Sequence, residues 1–145
     1  MADSVREDII QYLETTLKAI TGVKRVERYR LDGLSQRGKY PAICLINYNE
    51  VYTKIANDAF QSDMGLTIEI WRQFNKKEYL DEQLNILTDL VTEALMVDIT
   101  CNGKAHFIMP KSREIKIDSE TDRGVCMLDI TIRYVFNPKN AEDQQ

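Results

Sequence analysis

One histidine, three cysteines, three prolines and one tryptophan in 145 residues leave little material for most catalytic or metal chemistry. His106 stands alone, so a nucleophilic triad has one candidate base and no visible partner, and a histidine metal site lacks its second ligand. Cys44, Cys101 and Cys126 are odd in number and have no C-x-x-C spacing. Two of them lie in apolar runs, and they read as reduced packing residues. The six glycines, at positions 22, 33, 38, 65, 103 and 124, never cluster, and no G-x-x-x-x-G-K-[ST] segment exists to cradle a phosphate. Long apolar runs are missing too: Ala42 to Ile46 is among the longest, far short of the roughly 20 residues that span a bilayer. Met1 to Asp8 is acidic and polar where a secretory signal is basic and then apolar, so none is expected. Nor is positive charge in excess. The net charge is -4 with both signs interspersed, which argues against a dedicated nucleic-acid surface. No cofactor, metal or membrane contact is expected.

What is present is an ordinary globular composition, 43% hydrophobic and 29% charged. The length suits a single domain, expected over residues 1–137, with 138–145 as a loose polar tail. Ser4 and Glu7 have capping-box spacing and open a helix, with Val5, Ile9, Leu13, Thr16, Leu17 and Ile20 at helical intervals and Gly22 placed to end it. The pattern predicts helix from Ser4 to Thr21. Val23 to Leu31 reads as an exposed or edge strand, and Asp32 to Lys39 as a loop. Pro41 then opens a second strand through Tyr48 whose residues 42–46 are apolar on both faces. Such a strand needs cover on both sides, from helices on one and from a neighbouring subunit on the other.

Met64, Leu66, Ile68 and Ile70 alternate with period two and mark a third strand. The connection before it, Asn49 to Asp63, is too long for a tight turn and reads as a loop carrying Val51, Tyr52, Ile55 and Phe60. Leu80, Leu84, Leu87, Val91 and Leu95, joined by Leu90 and Ala94, form the stripe of a second helix about 20 residues long, enough to cross a sheet. After the turn pair Asn102 and Gly103 come two further strands, His106 to Asp118, interrupted near Pro110, and Val125 to Phe136. The fold class is therefore α+β: a five-stranded, mainly antiparallel or mixed sheet with both helices on one face, in the order α-β-β-β-α-β-β.

Two surfaces stand out. Glu78, Asp81, Glu82, Asp89 and Glu93 line one face of the second helix without a base among them, which most simply is a solvated face. Val51, Tyr52, Ile55 and Phe60 would expose apolar area unless their segment meets another protein or folds back on its own core. The aromatics there could also stack on bases, but Glu50, Asp58 and Asp63 surround them with negative charge.

The helix ending in LKAITGVKRVERYR, the YPAICLI strand, a long hairpin into MGLTIEIW, a leucine-rich helix and a closing hairpin ending in LDITIRYVFNP resemble phage tail terminator and tail-completion proteins over about residues 4–137. That resemblance implies a structural virion protein without enzymatic activity. It would assemble in the host cytoplasm as a ring of six subunits, cap the head-proximal end of the tail tube, stop its polymerisation and offer a surface to the head-completion or neck protein. Under this reading Val51, Tyr52, Ile55 and Phe60 contact an adjacent subunit or the tail tube. Glu78, Asp81, Glu82, Asp89 and Glu93 would line the channel, so that DNA passes without specific binding. A head-side neck or connector ring is the nearest alternative. A small ligand-binding α+β domain is another, though no glycine-rich turn or convergent polar set supports it, and a hydrolase resting on His106 is the weakest.

Overall fold

A computed structural model of the chain describes residues 4–28, 40–73, 79–118 and 123–138. The expected loop at 32–39, the end of the first expected strand at 29–31, Glu78 and the tail beyond 138 lie outside them. The elements are α1 (Val5–Lys18), β1 (Arg25–Glu27), β2 (Ala42–Ala56), β3 (Ala59–Gln73), α2 (Leu80–Met96), β4 (Phe107–Asp118) and β5 (Arg123–Phe136). The order along the chain is the expected one. The strands form one five-stranded sheet ordered β1-β2-β3-β5-β4. β1 runs parallel to β2 and every other pair is antiparallel, which makes the sheet mixed.

The Ser4 hydroxyl accepts the Glu7 amide at 3.1 Å and starts α1. Only this half of the expected capping box is described, for the Glu7 carboxylate turns outward and takes hydrogen bonds from Arg28 and from Gln11. α1 stops at Lys18 with Ala19 as its cap, before the expected Thr21. Gly22, at a φ of 94°, then turns the chain toward β1 in a conformation that a side chain would resist.

Both helices bury their stripes on one sheet face, as expected. Ile43, Ile70, Cys126 and Ile115 form one row across the sheet, and Leu45, Ile68 and Leu128 another. Val5, Ile9, Leu13 and Leu17 of α1 and Leu87, Val91 and Leu95 of α2 close over them in one core. Each side chain so buried contributes about 1.5–3 kcal/mol. The opposite face of β2 is also covered, but not in the expected way. Tyr40, Ile46 and Trp71 pack on Ala42 and Cys44 in a second, smaller cluster, so this chain itself covers residues for which a neighbouring subunit was expected.

Two further expectations need correction. Asn49 to Asp63 is not a loop: β2 continues to Ala56, residues 57–58 turn, and β3 starts at Ala59. Leu90 does not join the buried stripe of α2 but is exposed, because the buried arc of the helix runs through Leu84, Leu87, Thr88, Val91 and Leu95. The Asn102 and Gly103 turn is present, with φ of 61° and 82°. It is held by Asp98, whose carboxylate accepts from the Thr100 and Asn102 amides. β4 begins beside His106, which is exposed and donates its backbone amide to the Arg133 carbonyl at 2.7 Å. A register shift between Pro110 and Ser112 accommodates the proline on this outer strand.

Candidate functional site

The far halves of β2 and β3 form a hairpin arm. Its base is set by a register shift between Ile46 and Asn49, where Asn49 comes opposite Gly65. A Cβ on Gly65 would lie 2.3 Å from the Asn49 Oδ1, so glycine is what lets the Asn49 side chain cross this strand. Beyond that point Glu50 pairs with Met64, Tyr52 with Ser62 and Lys54 with Phe60, all on the helix-bearing face, while Val51 pairs with Asp63 on the other.

At the arm's base the helix-bearing face carries a polar knot. The Glu50 carboxylate accepts from Tyr134 of β5, from the Ser62 hydroxyl at 2.9 Å and from the Tyr52 hydroxyl at 2.9 Å. Arg6 of α1 reaches the same carboxylate at 2.5 Å and donates to the Tyr52 oxygen at 3.1 Å. Glu50 is thus a shielded charge with its lone pairs occupied, which is the condition under which a buried carboxylate is tolerated. Burial pushes its pKa up, yet the hydrogen bonds from Tyr134, Arg6, Tyr52 and Ser62 outweigh burial and hold it below its usual value. For Tyr134, burial first and the Glu50 carboxylate second push the phenol up to about 12. A second bridge lies beside the knot, where Arg28 spans Glu7 at 2.8 Å and Glu14 at 2.6 Å and ties the end of β1 to α1. Partly open grooves flank the base of the arm on both faces, one lined by Asn49, Val51 and Thr131 and the other by Arg6, Glu50 and Tyr52.

Aromatic packing completes the arm. The Phe136 ring stands 5.2 Å from Tyr52 edge-on and 5.9 Å from Phe60 in a stacked arrangement. The four expected contact residues therefore share the arm without forming one patch. Phe60 is partly buried against Phe136, whereas Val51, Tyr52 and Ile55 are 63%, 50% and 52% exposed. Val51 faces away from Tyr52, and Ile55 sits at the irregularity before the turn.

On α2, Asp81, Glu82, Asp89 and Glu93 are exposed, and Asp89 approaches Arg113 of β4 at 3.8 Å. This outer surface is not wholly acidic, since Ile86, Leu90 and Val97 share it. Sequence reasoning missed the Glu50 knot, because its members are far apart in the chain. One signal was available: Ser62 has the same parity as Met64, Leu66, Ile68 and Ile70, and a hydroxyl in a core-facing row needs a buried partner. The three cysteines are buried, and burial pushes the Cys101 thiol up to about 12, which keeps it protonated.

No protein-family model and no curated protein matches this chain. Among solved structures, a chain of the "Virion of native gene transfer agent (GTA) particle" is similar to it. The match has a TM-score of 0.50 and 7% identity, and it covers 91% of this chain and 95% of that one. At that identity the likeness is one of fold, and it extends over nearly all of both chains.

Proposed function

We propose that this chain is a non-catalytic virion assembly protein that closes into a ring on the end of a phage tail tube. There it ends tube polymerisation and presents a surface for head joining. The observation that carries the reading is the hairpin arm, which is fastened at its base by Glu50 yet leaves Val51, Tyr52 and Ile55 half or more exposed. Apolar side chains held out on an ordered arm suit a protein contact better than solvent. The fold likeness to a virion chain agrees with this, as does the pattern along the chain that resembles tail terminators, from which the ring of six subunits is taken. In such a ring Val51, Tyr52, Ile55 and Phe60 belong to the contact with the adjacent subunit or the tube.

The exposed acids Asp81, Glu82, Asp89 and Glu93, joined by Glu78, supply negative charge toward the channel, so that DNA phosphates are repelled during passage. Micrographs of the purified protein mixed with tail tubes test the proposal. A ring, or density capping one tube end, is expected; monomers that leave tube ends bare and growing would refute it. A head-side neck ring is the second reading, because a likeness to a virion chain suits it equally. Density on the head portal instead of the tube would select it.

A further inference from the structure

Helix α2 carries a second apolar stripe that is exposed among the described residues. Tyr79, just before the helix, and Ile86, Leu90 and Val97 recur at i, i+7, i+11 and i+18, which return to one side of a helix of about 3.6 residues per turn. They are between 43% and 82% exposed. The buried stripe of Leu84, Leu87, Val91 and Leu95 lies well round the helix from them. Glu82, Asp89 and Glu93 border the exposed stripe, while Asp81 sits farther round, so α2 has four acids, no base and two apolar faces.

We infer that this stripe receives the hairpin arm of a second copy of the chain. The inference rests on the proposed ring and names its contact. Within one chain the arm is fastened beside the amino-terminal end of α1, whereas α2 packs over β3, β4 and β5 and against α1. Ring closure sets aside like-on-like pairings, since it needs one patch to meet a different one, and the charge on α2 agrees. Two copies of α2 docked stripe to stripe would set the acidic border against the same acids. The arm against α2 instead brings Lys54, which shares the helix-bearing face with Tyr52, to the acidic border, with Asp58 standing in the turn beyond it. Exposed charges of this kind add little affinity but select orientation, while Tyr52 and Ile55 against Ile86 and Leu90 supply the apolar burial. Such a contact joins one patch to a different patch, the head-to-tail arrangement from which rings are built. It leaves Asp81 uncovered for the channel, and one lysine offsets only part of the charge of the acidic border.

Cross-linking tests it. Ile55→Cys and Leu90→Cys are made separately, with the three native cysteines buried, and treated with a short bismaleimide alone and mixed, both free at high concentration and on tail tubes. A covalent dimer is expected from the mixture, with neither variant alone exceeding the wild-type background. Lys54→Glu in the Ile55→Cys chain should lower the yield, and Glu93→Lys in the Leu90→Cys chain should restore it. A dimer from either variant alone would replace the inference with a symmetric contact. Rings or caps in micrographs without a cross-link in the mixture would overturn the inference and leave the proposed function standing. Absence of rings, caps and cross-links would overturn both. A cross-link without closed rings would uphold the contact and count against the ring.

Discussion

Tyr134 of β5 donates its phenol hydrogen to the Glu50 carboxylate of β2, across the intervening strand β3 and 84 positions apart in the chain. Ser62 of β3 adds another hydroxyl to the same group, so three strands meet at one partly buried charge. Removing the phenol while keeping the ring isolates this bond. Tyr134→Phe is expected to cost about 1.5–3 kcal/mol, the range for hydrogen bonds to charged groups. Urea unfolding measures it, and an unchanged midpoint would show that Tyr134 contributes packing alone.

Alkali should expose the same residue. With the Tyr134 phenol at about 12 in the folded protein against 10 normally, both states hold the proton below pH 10, and only the folded state holds it between 10 and 12. Stability present below pH 10 is therefore lost as pH rises through that window. Thermal unfolding across it should show a steeper decline for the wild type than for Tyr134→Phe; parallel curves would contradict the assignment.

In acid the sign reverses. Glu50 is held below its usual 4.5 against the effect of burial, and Asp63 below its usual 3.8 by the hydrogen bonds from Arg133. Carboxylates with depressed values contribute stability that is present above the unfolded value and lost as pH falls through the folded one. Glu50→Gln should flatten the decline below about pH 4.5, as read from unfolding midpoints at successive pH values. An acid limb as steep as that of the wild type would place the dependence elsewhere.

A contrast within β2 separates folding from assembly. Ile43 is fully buried, and Ile43→Ala should destabilise by about 2–5 kcal/mol. Val51→Ser, on the exposed arm, should stay within about 0.5 kcal/mol of wild type and yet impair capping of tubes. Denaturant midpoints and tube-capping counts on the same preparations decide the matter; a Val51→Ser protein that caps normally would remove this residue from the contact.

Most of the fold was legible where one face of an element is buried. The Met64 to Ile70 alternation and the α1 stripe both report a core, since burial imposes the period. The arm reports none. From Asn49 to Ala56 neither face is fully buried, polar and apolar residues mix, and the only local signal is the turn pair Asn57 and Asp58. Leu90 misled for the opposite reason: it is apolar beside a true core stripe, and hydropathy cannot tell an interior arc from an outward one. The acids of α2 were visible in the sequence, whereas the knot around Glu50 was not, because residues 6, 50, 62 and 134 come together only through strand order.

Asn49 and Gly65 offer a test of local fit. Gly65→Ala places a methyl against the Asn49 side chain and should cost about 1–3 kcal/mol, the scale of overpacking. Asn49→Ala in the same chain should return most of that stability. A double variant as weak as the single one would mean that the backbone, and not Asn49, rejects the methyl.

The Glu50 knot also bears on how readily the arm could bind. A peptide arm that ordered only upon contact would lose backbone and side-chain freedom at that moment and weaken every association by that amount. Here Arg6, Tyr134 and Ser62 have already fixed the base of the arm before any partner arrives. Loosening this base should therefore weaken association even when every contacting side chain remains in place, so that the fastening works as a remote setting of affinity.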